Sequence, residues 1–211
     1  MDADVNIDTF SRYTQVSRET IVNFKKFENI VIKSNKKLNL VGKSTLNHIW
    51  TRHFLDSAQA IDLIDKKYNI LVDMGSGAGF PGLVLSMIAK DRKIALKTKL
   101  IEKSIKKTIF LESVIKELSL PAEVINKNIL NDANFSSGDV FVARAFKPLP
   151  KILQLMHNNE KKWKKMILFL GKTGKRDLYE ASKIWDIEYK KRVSVTSADS
   201  IILEINKLKK V

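Results

Sequence analysis

Hydrophobic and polar residues follow a helical period in the first third of the chain. From Ser17 to about Lys33, apolar residues recur every three or four positions, which predicts an amphipathic helix. The same spacing predicts a second helix from Leu46 to about Ile64, with Thr45 as its N-cap. Both helices precede the first strand-like run, so residues 1–66 are expected to form an N-terminal helical extension.

Further along the chain, short apolar runs alternate with helical segments. The runs predict five strands: Ile70–Val72, Thr98–Glu102, Glu123–Ile125, Asp139–Val142 and Met166–Leu170. Helices are predicted between and after them at Leu83–Lys90, Ile105–Leu118, Lys151–His157 and Lys175–Ile184, with Ile105 and Ile109 facing inward. Alternating strands and helices imply a parallel sheet that holds its ligands at the carboxyl ends of the strands.

The chain ends in two more β-like runs, Glu188–Val195 and Ser200–Ile205, joined by Thr196–Asp199. A connection this short predicts an antiparallel hairpin. The fold class is therefore α/β, with a mostly parallel seven-stranded sheet that finishes in a hairpin. This is the Rossmann-like methyltransferase architecture, whereas a dehydrogenase would usually continue into a substrate domain.

A glycine-rich segment follows the first predicted strand and is the main candidate for a cofactor site. Four of the eight glycines in the chain lie within eight positions, from Gly75 to Gly82. Glycine permits backbone angles that a side chain forbids and allows a ligand to approach the main chain. The segment Gly77–Gly82 fits the dinucleotide pattern G-x-G-x-x-G, and Glu102 lies 20 residues beyond it, where a ribose-binding acid is expected.

The overlapping segment Asp73–Gly79 fits a second pattern, the acidic-x-G-x-G-x-G loop of enzymes that use S-adenosylmethionine (AdoMet). Asp73 discriminates between the two interpretations. A carboxylate at the strand's end would repel the pyrophosphate of a dinucleotide, whereas AdoMet carries an ammonium and a sulfonium group and no phosphate. AdoMet is favoured, and an NAD-dependent oxidoreductase is retained as the alternative.

The composition indicates a polyanionic partner and narrows the chemistry. The formal net charge is +15, from 38 Lys and Arg against 23 Asp and Glu, which favours nucleic acid. Basic runs occur at 161–165 and 190–192. The chain has no cysteine and three scattered histidines, so no metal ion is expected. The acidic N-terminus and the absence of a long apolar stretch predict a cytoplasmic protein that does not enter a membrane.

The same composition limits the possible methyl acceptors. Methylation of pyrimidine C5 requires a cysteine nucleophile, which the chain lacks. Enzymes that methylate exocyclic amines commonly carry an Asn-Pro-Pro-Tyr-type motif after strand four, where this chain has Ala143-Arg144-Ala145-Phe146. A ring nitrogen such as guanine N7 already has an available lone pair and needs alignment rather than a base. The scarcity of candidate acids and bases fits that acceptor best.

Four motifs in this order resemble the RsmG (GidB) family of bacterial 16S ribosomal RNA guanine-N7 methyltransferases. They are Leu38-Asn39-Leu40, Trp50-x-Arg52-His53-x-x-Asp56-Ser57, Asp73-x-Gly75-x-Gly77-x-Gly79-Phe80-Pro81-Gly82 and Arg144-Ala145-Phe146. The resemblance extends over residues 17–205. Generic AdoMet enzymes share only the glycine loop, so the R-H-x-x-D-S element and the G-F-P-G ending make the resemblance specific.

The resemblance implies a class I AdoMet-dependent methyltransferase with its site assembled from several segments. The implied cofactor-binding residues are Asp73, Gly75, Gly77, Gly79, Phe80, Glu102, Ile129, Leu130 and Arg144. The implied catalytic residues are Arg144, His53 and Asp56, and the implied RNA-binding residues are Arg52, Phe146 and Lys172. The partner would be 16S rRNA or the small ribosomal subunit, bound by a monomer without a metal ion.

Residues 67–211 are expected to form the AdoMet-binding core, joined with the extension at 1–66 into one structural domain. Besides the oxidoreductase, a non-catalytic RNA-binding protein on a methyltransferase scaffold is retained as an alternative, because charge alone does not establish turnover.

Overall fold

The computed structural model describes residues 3–132, 135–159 and 163–211. Within them, seven strands form one sheet in the order β3-β2-β1-β4-β5-β7-β6. Their bounds are β1 Ile70–Met74, β2 Lys97–Glu102, β3 Ala122–Asn126, β4 Val140–Arg144, β5 Lys165–Leu170, β6 Trp185–Ser194 and β7 Ser197–Lys210. Strands β1 to β5 are parallel, and β7 pairs antiparallel with both β5 and β6. The predicted mostly parallel sheet with a terminal hairpin is confirmed.

Helices cover both faces of this sheet, which accounts for the central strands β1, β4 and β5 being apolar on both sides. The helices are α1 Ala3–Thr14, α2 Arg18–Leu38, α3 Lys43–Leu46, α4 Asp56–Ala58, α5 Gly82–Asp91, α6 Ile105–Leu118, α7 Leu149–Asn158 and α8 Gly174–Ala181. Alternate residues of β1 enter different cores: Leu71 packs with the N-terminal helices, α5 and α6, whereas Val72 packs with α7 and α8.

The first predicted helix is present and longer than expected. Ser17 caps α2 by accepting a hydrogen bond from the backbone N–H of Thr20. The helix continues to Leu38 and ends where Asn39 adopts a left-handed conformation, with φ 46°. The following loop is held by the Asn35 side chain, which bonds both the N–H and the C=O of Val41.

The second predicted helix, Leu46–Ile64 capped by Thr45, is wrong. This region is broken into α3, a π-helical segment Trp50–Leu55 that leads directly into α4, and a 3₁₀ turn at Ile61–Leu63. The N-cap of α3 is Gly42, and the Thr45 hydroxyl instead donates to the Gly42 carbonyl. The π-helical segment adds a residue to a helical turn, a feature common at functional sites.

Aromatic packing explains why the helical pattern breaks there. Within the described residues, Phe54 contacts a cluster of rings from α1, α2, the π-helical segment and the loop after β1. The members of this aromatic cluster are Phe10, Phe24, Phe27, Trp50, Phe54 and Phe80. It joins the N-terminal helices to the glycine loop.

Two further expectations need correction. Ile105 and Ile109 do not face inward but are 67% and 60% exposed, because the buried stripe of α6 runs through Phe110, Leu111, Val114 and Leu118. The hairpin turn is Val195–Thr196 rather than Thr196–Asp199, so both strands are longer than expected.

Lys161 and Lys162 of the expected basic run lie outside the described residues. None of the helices in the described part of the chain has the length and apolarity to cross a bilayer.

Candidate active site

The loop between β1 and α5 turns sharply, and two of its three glycines have no space for a side chain. Gly75, Gly77 and Gly79 all have left-handed φ values, of 74°, 57° and 92°. A Cβ on Gly75 would lie 2.3 Å from Cδ2 of Phe146, and one on Gly79 would lie 2.4 Å from Cδ1 of Leu83. A Cβ on Gly77 would meet nothing nearer than 3.9 Å, so this position is constrained by its backbone angle rather than by its neighbours.

Asp73 lies behind this loop rather than facing the cavity in front of it. Its side chain is fully buried, and Oδ2 accepts a hydrogen bond of 3.0 Å from the backbone N–H of Gly82. Oδ1 has no hydrogen-bond partner among the described residues. Burial raises the pKa of Asp73 to about 7, against the opposing effect of the Gly82 hydrogen bond. The carboxyl group therefore holds the loop to the start of α5.

Glu102, at the end of β2, holds the loop from the other side. Its carboxylate accepts a 3.0 Å hydrogen bond from the Gly77 N–H and a 2.8 Å hydrogen bond from the Ser104 N–H. Although it is 7% exposed, Glu102 reaches the wall of a cavity of about 430 Å³, together with Ile129 and Leu130. This cavity, named the cofactor cavity after its expected ligand, crosses the carboxyl ends of β1, β2 and β4 and is also lined by Arg144.

Arg144 is the last residue of β4, and its guanidinium group connects three elements. Nη1 donates 2.9 Å to the backbone oxygen of Arg52 and 3.1 Å to Oδ2 of Asp56, while Nη2 lies 2.7 Å from Nδ1 of His53. The guanidinium carbon stands 5.3 Å from the centre of the Phe80 ring. Burial lowers the pKa of Arg144, and the neighbouring Asp56 opposes this effect.

His53 is neutral in this arrangement. Burial, followed by the charges of Arg144 and Arg52, lowers its pKa to about 3. Because Nδ1 accepts from Arg144, the ring proton resides on Nε2, which lies 2.9 Å from the Thr45 hydroxyl. The ring also stacks on Phe80 at 4.9 Å between centroids. A hydrogen-bonded chain thus runs from Arg144 through His53 and Thr45 to the loop before α3.

Asp56 links the same arginine to the β6–β7 hairpin. Its Oδ1 accepts hydrogen bonds from the hydroxyls of Ser194 and Thr196, at 3.1 and 2.8 Å, and from the Gln59 amide at 3.0 Å. Its Oδ2 forms the ion pair with Arg144. The turn of the hairpin is therefore fixed to the N-terminal helices through the carboxylate that positions Arg144.

Two smaller clefts adjoin the cofactor cavity, each of about 310 Å³. The hairpin cleft shares His53, Arg144 and Ala145 with the cofactor cavity and extends to the turn of the hairpin. The helix cleft lies towards α7 and α8 and shares Ala145, Phe146 and Lys147 with the cofactor cavity.

The residues with an expected RNA-binding role lie at different places around this site. Arg52 is exposed and lines the hairpin cleft. Phe146 packs over Gly75 and lines the cofactor cavity. Lys172 is exposed in the loop after β5 and lines none of the three openings. Of these three side chains, Phe146 is thus nearest to the glycine loop.

Several residues complete the site beyond the site residues predicted from the sequence. They either position the expected residues or line the cofactor cavity: Asn35, Val41, Gly42, Thr45, Lys103, Lys107, Lys127, Asn128, Lys147, Ser194 and Thr196. The motif Leu38-Asn39-Leu40 directly precedes Val41 and could have indicated that this loop belongs to the site. No sequence spacing could have paired the hairpin hydroxyls with Asp56.

Comparison with known proteins gives consistent matches over most of the chain. The family model of the rRNA small subunit methyltransferase G (GidB) matches residues 20–205. The chain is 42% identical over 197 residues to the ribosomal RNA small subunit methyltransferase G of Pelagibacter ubique, covering 92% of both chains. It is 37% identical to the Rickettsia akari protein of the same name, covering 93% of this chain and 99% of the other.

Solved structures with low sequence identity share the fold. The 16S rRNA methylase RmtB superposes with a TM-score of 0.54 at 13% identity, covering 91% of this chain and 76% of that one. A ribosomal protein L11 methylase from Lactobacillus delbrueckii gives 0.52 at 15% identity, covering 72% and 77% of the two chains. The structural neighbours are therefore Rossmann-like methyltransferases.

Proposed function

Because the chain belongs to the rRNA small subunit methyltransferase G (GidB) family, we propose that it transfers a methyl group from AdoMet to N7 of a guanosine in 16S rRNA. The observation that carries this proposal is the position of Arg144. Arg144 lines both the cofactor cavity and the hairpin cleft, so a cofactor and an acceptor would meet at one guanidinium group. The family assignment removes the oxidoreductase alternative.

The residues around the cavity suit AdoMet. Gly75 and Gly77 line the cavity, whereas Gly79 packs against Leu83 and does not. Glu102 offers a carboxylate suited to two ribose hydroxyls. Ile129 and Leu130 provide an apolar wall suited to adenine. Phe80 lines the same cavity near Arg144, where the methionine part would lie. The unpartnered Oδ1 of Asp73 adds negative potential beneath the loop, which favours a cationic ligand.

The acceptor chemistry requires alignment and no proton removal. When bound, AdoMet would supply an electrophilic methyl group to the N7 lone pair, with S-adenosylhomocysteine as the leaving group and the positive charge passing from the sulfonium to the purine. His53 is neutral at pH 7 and already hydrogen-bonded at both nitrogens. Its role is to hold Arg144 in place without adding a second positive charge.

Basic residues around the cavity mouth support RNA as the substrate carrier. Lys103, Lys107, Lys127 and Lys147 line the cavity, and Lys127 is paired with Asp132. Together with a net charge of +15, these side chains are suited to contact phosphates beside the reacting base. We further propose that Arg52 and Lys172 contact RNA and that the protein acts as a cytoplasmic monomer.

We also propose a division of the chain into an extension at 1–66 and a methyltransferase core at 67–211. It is supported by the location of the glycine loop, Glu102 and Arg144 within the core. The extension contributes His53 and Asp56, which contact Arg144 across the boundary. Residues 1–66 and 67–211 would therefore work as one structural unit.

The direct test uses radiolabelled AdoMet and small ribosomal subunits, or their rRNA, from a bacterial strain that lacks this gene. After incubation, the RNA is digested to nucleosides and the products are separated. Label in 7-methylguanosine is expected. Label in another nucleoside would refute the acceptor, and RNA binding without AdoMet binding would support the non-catalytic alternative.

A second test examines the cofactor assignment. Glu102→Gln removes one charge but retains the shape, and Glu123→Gln makes the same change on an exposed residue of β3. Loss of a charge-assisted hydrogen bond is worth about 1.5–3 kcal/mol, or roughly 10- to 150-fold in AdoMet affinity. Calorimetry should show this loss for Glu102→Gln and none for Glu123→Gln, and equal affinities would contradict the ribose role.

A further inference from the structure

We propose that the hairpin cleft is the pocket that receives the target guanine base, flipped out of the RNA, with the β6–β7 turn forming its outer wall. This inference rests on the proposed function and specifies where the acceptor binds. The acceptor nitrogen must lie within contact distance of the transferred methyl group, so its pocket must adjoin the cofactor cavity. The hairpin cleft and the helix cleft both meet that requirement.

The order of the strands places the cofactor cavity and the hairpin cleft side by side along one edge of the sheet. The cofactor cavity lies over the carboxyl ends of β2, β1 and β4, and the hairpin cleft continues over β4, β5 and the near ends of β7 and β6. Arg144 on β4 stands at the junction. A cofactor in the cofactor cavity and a base in the hairpin cleft would therefore meet at Arg144, one on each side.

The hydrogen-bond donors of Arg144 favour guanine in the hairpin cleft. Contacts with described residues use three of the five guanidinium N–H groups, which leaves Nε–H and one Nη2–H. Guanine presents O6, an acceptor, beside N7, whereas adenine presents a donor amine at that place. A guanidinium donor near the reacting nitrogen would bind guanine and reject adenine.

The remaining walls suit the other parts of a purine. Phe169, Leu170 and Ile201 provide apolar surface for the ring face. Ser197 and Ser200 place hydroxyls along β7, and hydroxyl oxygens accept hydrogen bonds from donors such as N1–H and the exocyclic amine of guanine. At about 310 Å³ the cleft falls at the low end of the 300–1,000 Å³ typical of small-ligand pockets.

The helix cleft lacks this donor set. Arg144 and His53 do not line it, and its polar side chains include Lys147, Thr173 and Asp177. It has the same volume of about 310 Å³ and is also lined by Gly171, so it provides an internal control for the effect of filling a cleft beside the cofactor cavity.

The test fills each cleft with one large side chain. Ser200 lies one residue beyond the Leu170–Ile201 pair, at the end of the β5–β7 ladder, so Ser200→Trp would block the hairpin cleft without entering the sheet core. Thr173→Trp makes the matched change at the exposed edge of the helix cleft. Circular dichroism, AdoMet affinity by calorimetry and methyl transfer to small subunits from the gene-deletion strain are measured for both.

Ser200→Trp is expected to bind AdoMet normally and to lose about 100-fold in kcat/KM for methyl transfer, whereas Thr173→Trp retains both properties. If Ser200→Trp fails to fold, Ser197→Trp in the same cleft replaces it. Wild-type kcat/KM in the hairpin-cleft variant, or loss in Thr173→Trp alone, would overturn the inference. A wild-type protein that forms no 7-methylguanosine would instead refute the proposed function, so the two failures are distinguishable.

Discussion

A methyl group added at Gly75 would test two features of the glycine loop, its left-handed backbone and its close contact with Phe146. Two costs add in Gly75→Ala. At φ 74° an alanine costs about 1–2 kcal/mol in backbone strain. Its Cβ would also lie 2.3 Å from Cδ2 and 2.8 Å from Cε2 of Phe146, so the ring must move, and overpacking of this kind costs about 1–3 kcal/mol. The free energy of unfolding should fall by about 2–5 kcal/mol.

Two matched glycines separate these costs. Gly77→Ala has the same left-handed strain, at φ 57°, but its Cβ meets nothing nearer than 3.9 Å, so the loss should be about 1–2 kcal/mol. Gly171→Ala has no atom within 4 Å and no left-handed φ, so it should lose no stability.

Urea unfolding followed by circular dichroism gives the free energy of unfolding of the wild type and the three variants. Calorimetry gives the AdoMet affinity of each protein. Affinity should fall in Gly75→Ala, because the displaced Phe146 ring lines the cofactor cavity. Equal stability of the Gly75 and Gly77 variants would refute the close contact with Phe146. Equal stability of the Gly77 and Gly171 variants would refute the backbone strain.

Three further predictions concern charge. Burial lowers the pKa of His53 from 6.5 to about 3, so the neutral ring contributes its full stability above pH 6.5 and this contribution is lost as the pH falls towards 3. Between pH 7.5 and 5, the free energy of unfolding of His53→Gln should therefore fall by about 2 kcal/mol less than that of the wild type, as measured by urea unfolding. Arg144→Lys keeps the charge, but a lysine cannot contact Asp56, His53 and the Arg52 carbonyl together. Turnover should therefore fall about 100-fold while the circular dichroism spectrum is unchanged. Wild-type turnover would show that these contacts of Arg144 do not position the reactants. RNA affinity should fall with salt, with a log–log slope of about −0.7 for each single-strand phosphate neutralised, and a flat titration would contradict phosphate contacts.

The fold was predictable because its main signals are local. Apolar runs such as Ile70–Val72, bounded by polar or glycine residues, determine the strands and their order of appearance. The short connection between the last two runs determines the antiparallel hairpin. The break in the helix around Trp50 was not predictable, because it depends on the aromatic cluster, whose rings come from residues 10–80.

The site was predictable only in part, for the same physical reason. Glu102 follows from its spacing behind the glycine loop, and the structure places it on the cofactor cavity. Arg144 had no local signal and entered through the family resemblance. Its partners lie 88 and 91 residues away, and Asp56 and Thr196 are 140 residues apart. Pairings at such separations are set by how the extension and the hairpin close over the sheet, which periodicity does not encode.

The charges around the site identify Asp73 as the group that should govern its pH response. Methyl transfer begins and ends with one positive charge, so a site that titrates little near pH 7 is suited to it. His53 is uncharged, and Arg144 is matched by Asp56 at 3.1 Å. Asp73, whose pKa burial raises to about 7, is the exception. Its ionisation destabilises the fold as the pH rises from 3.8 through 7, but it also adds the negative charge that favours a cationic ligand. AdoMet affinity should therefore increase from pH 6 to pH 8, and Asp73→Asn, which can still accept from Gly82, should abolish that increase. A calorimetric titration series in which both proteins show the same rise would assign the pH response to another group.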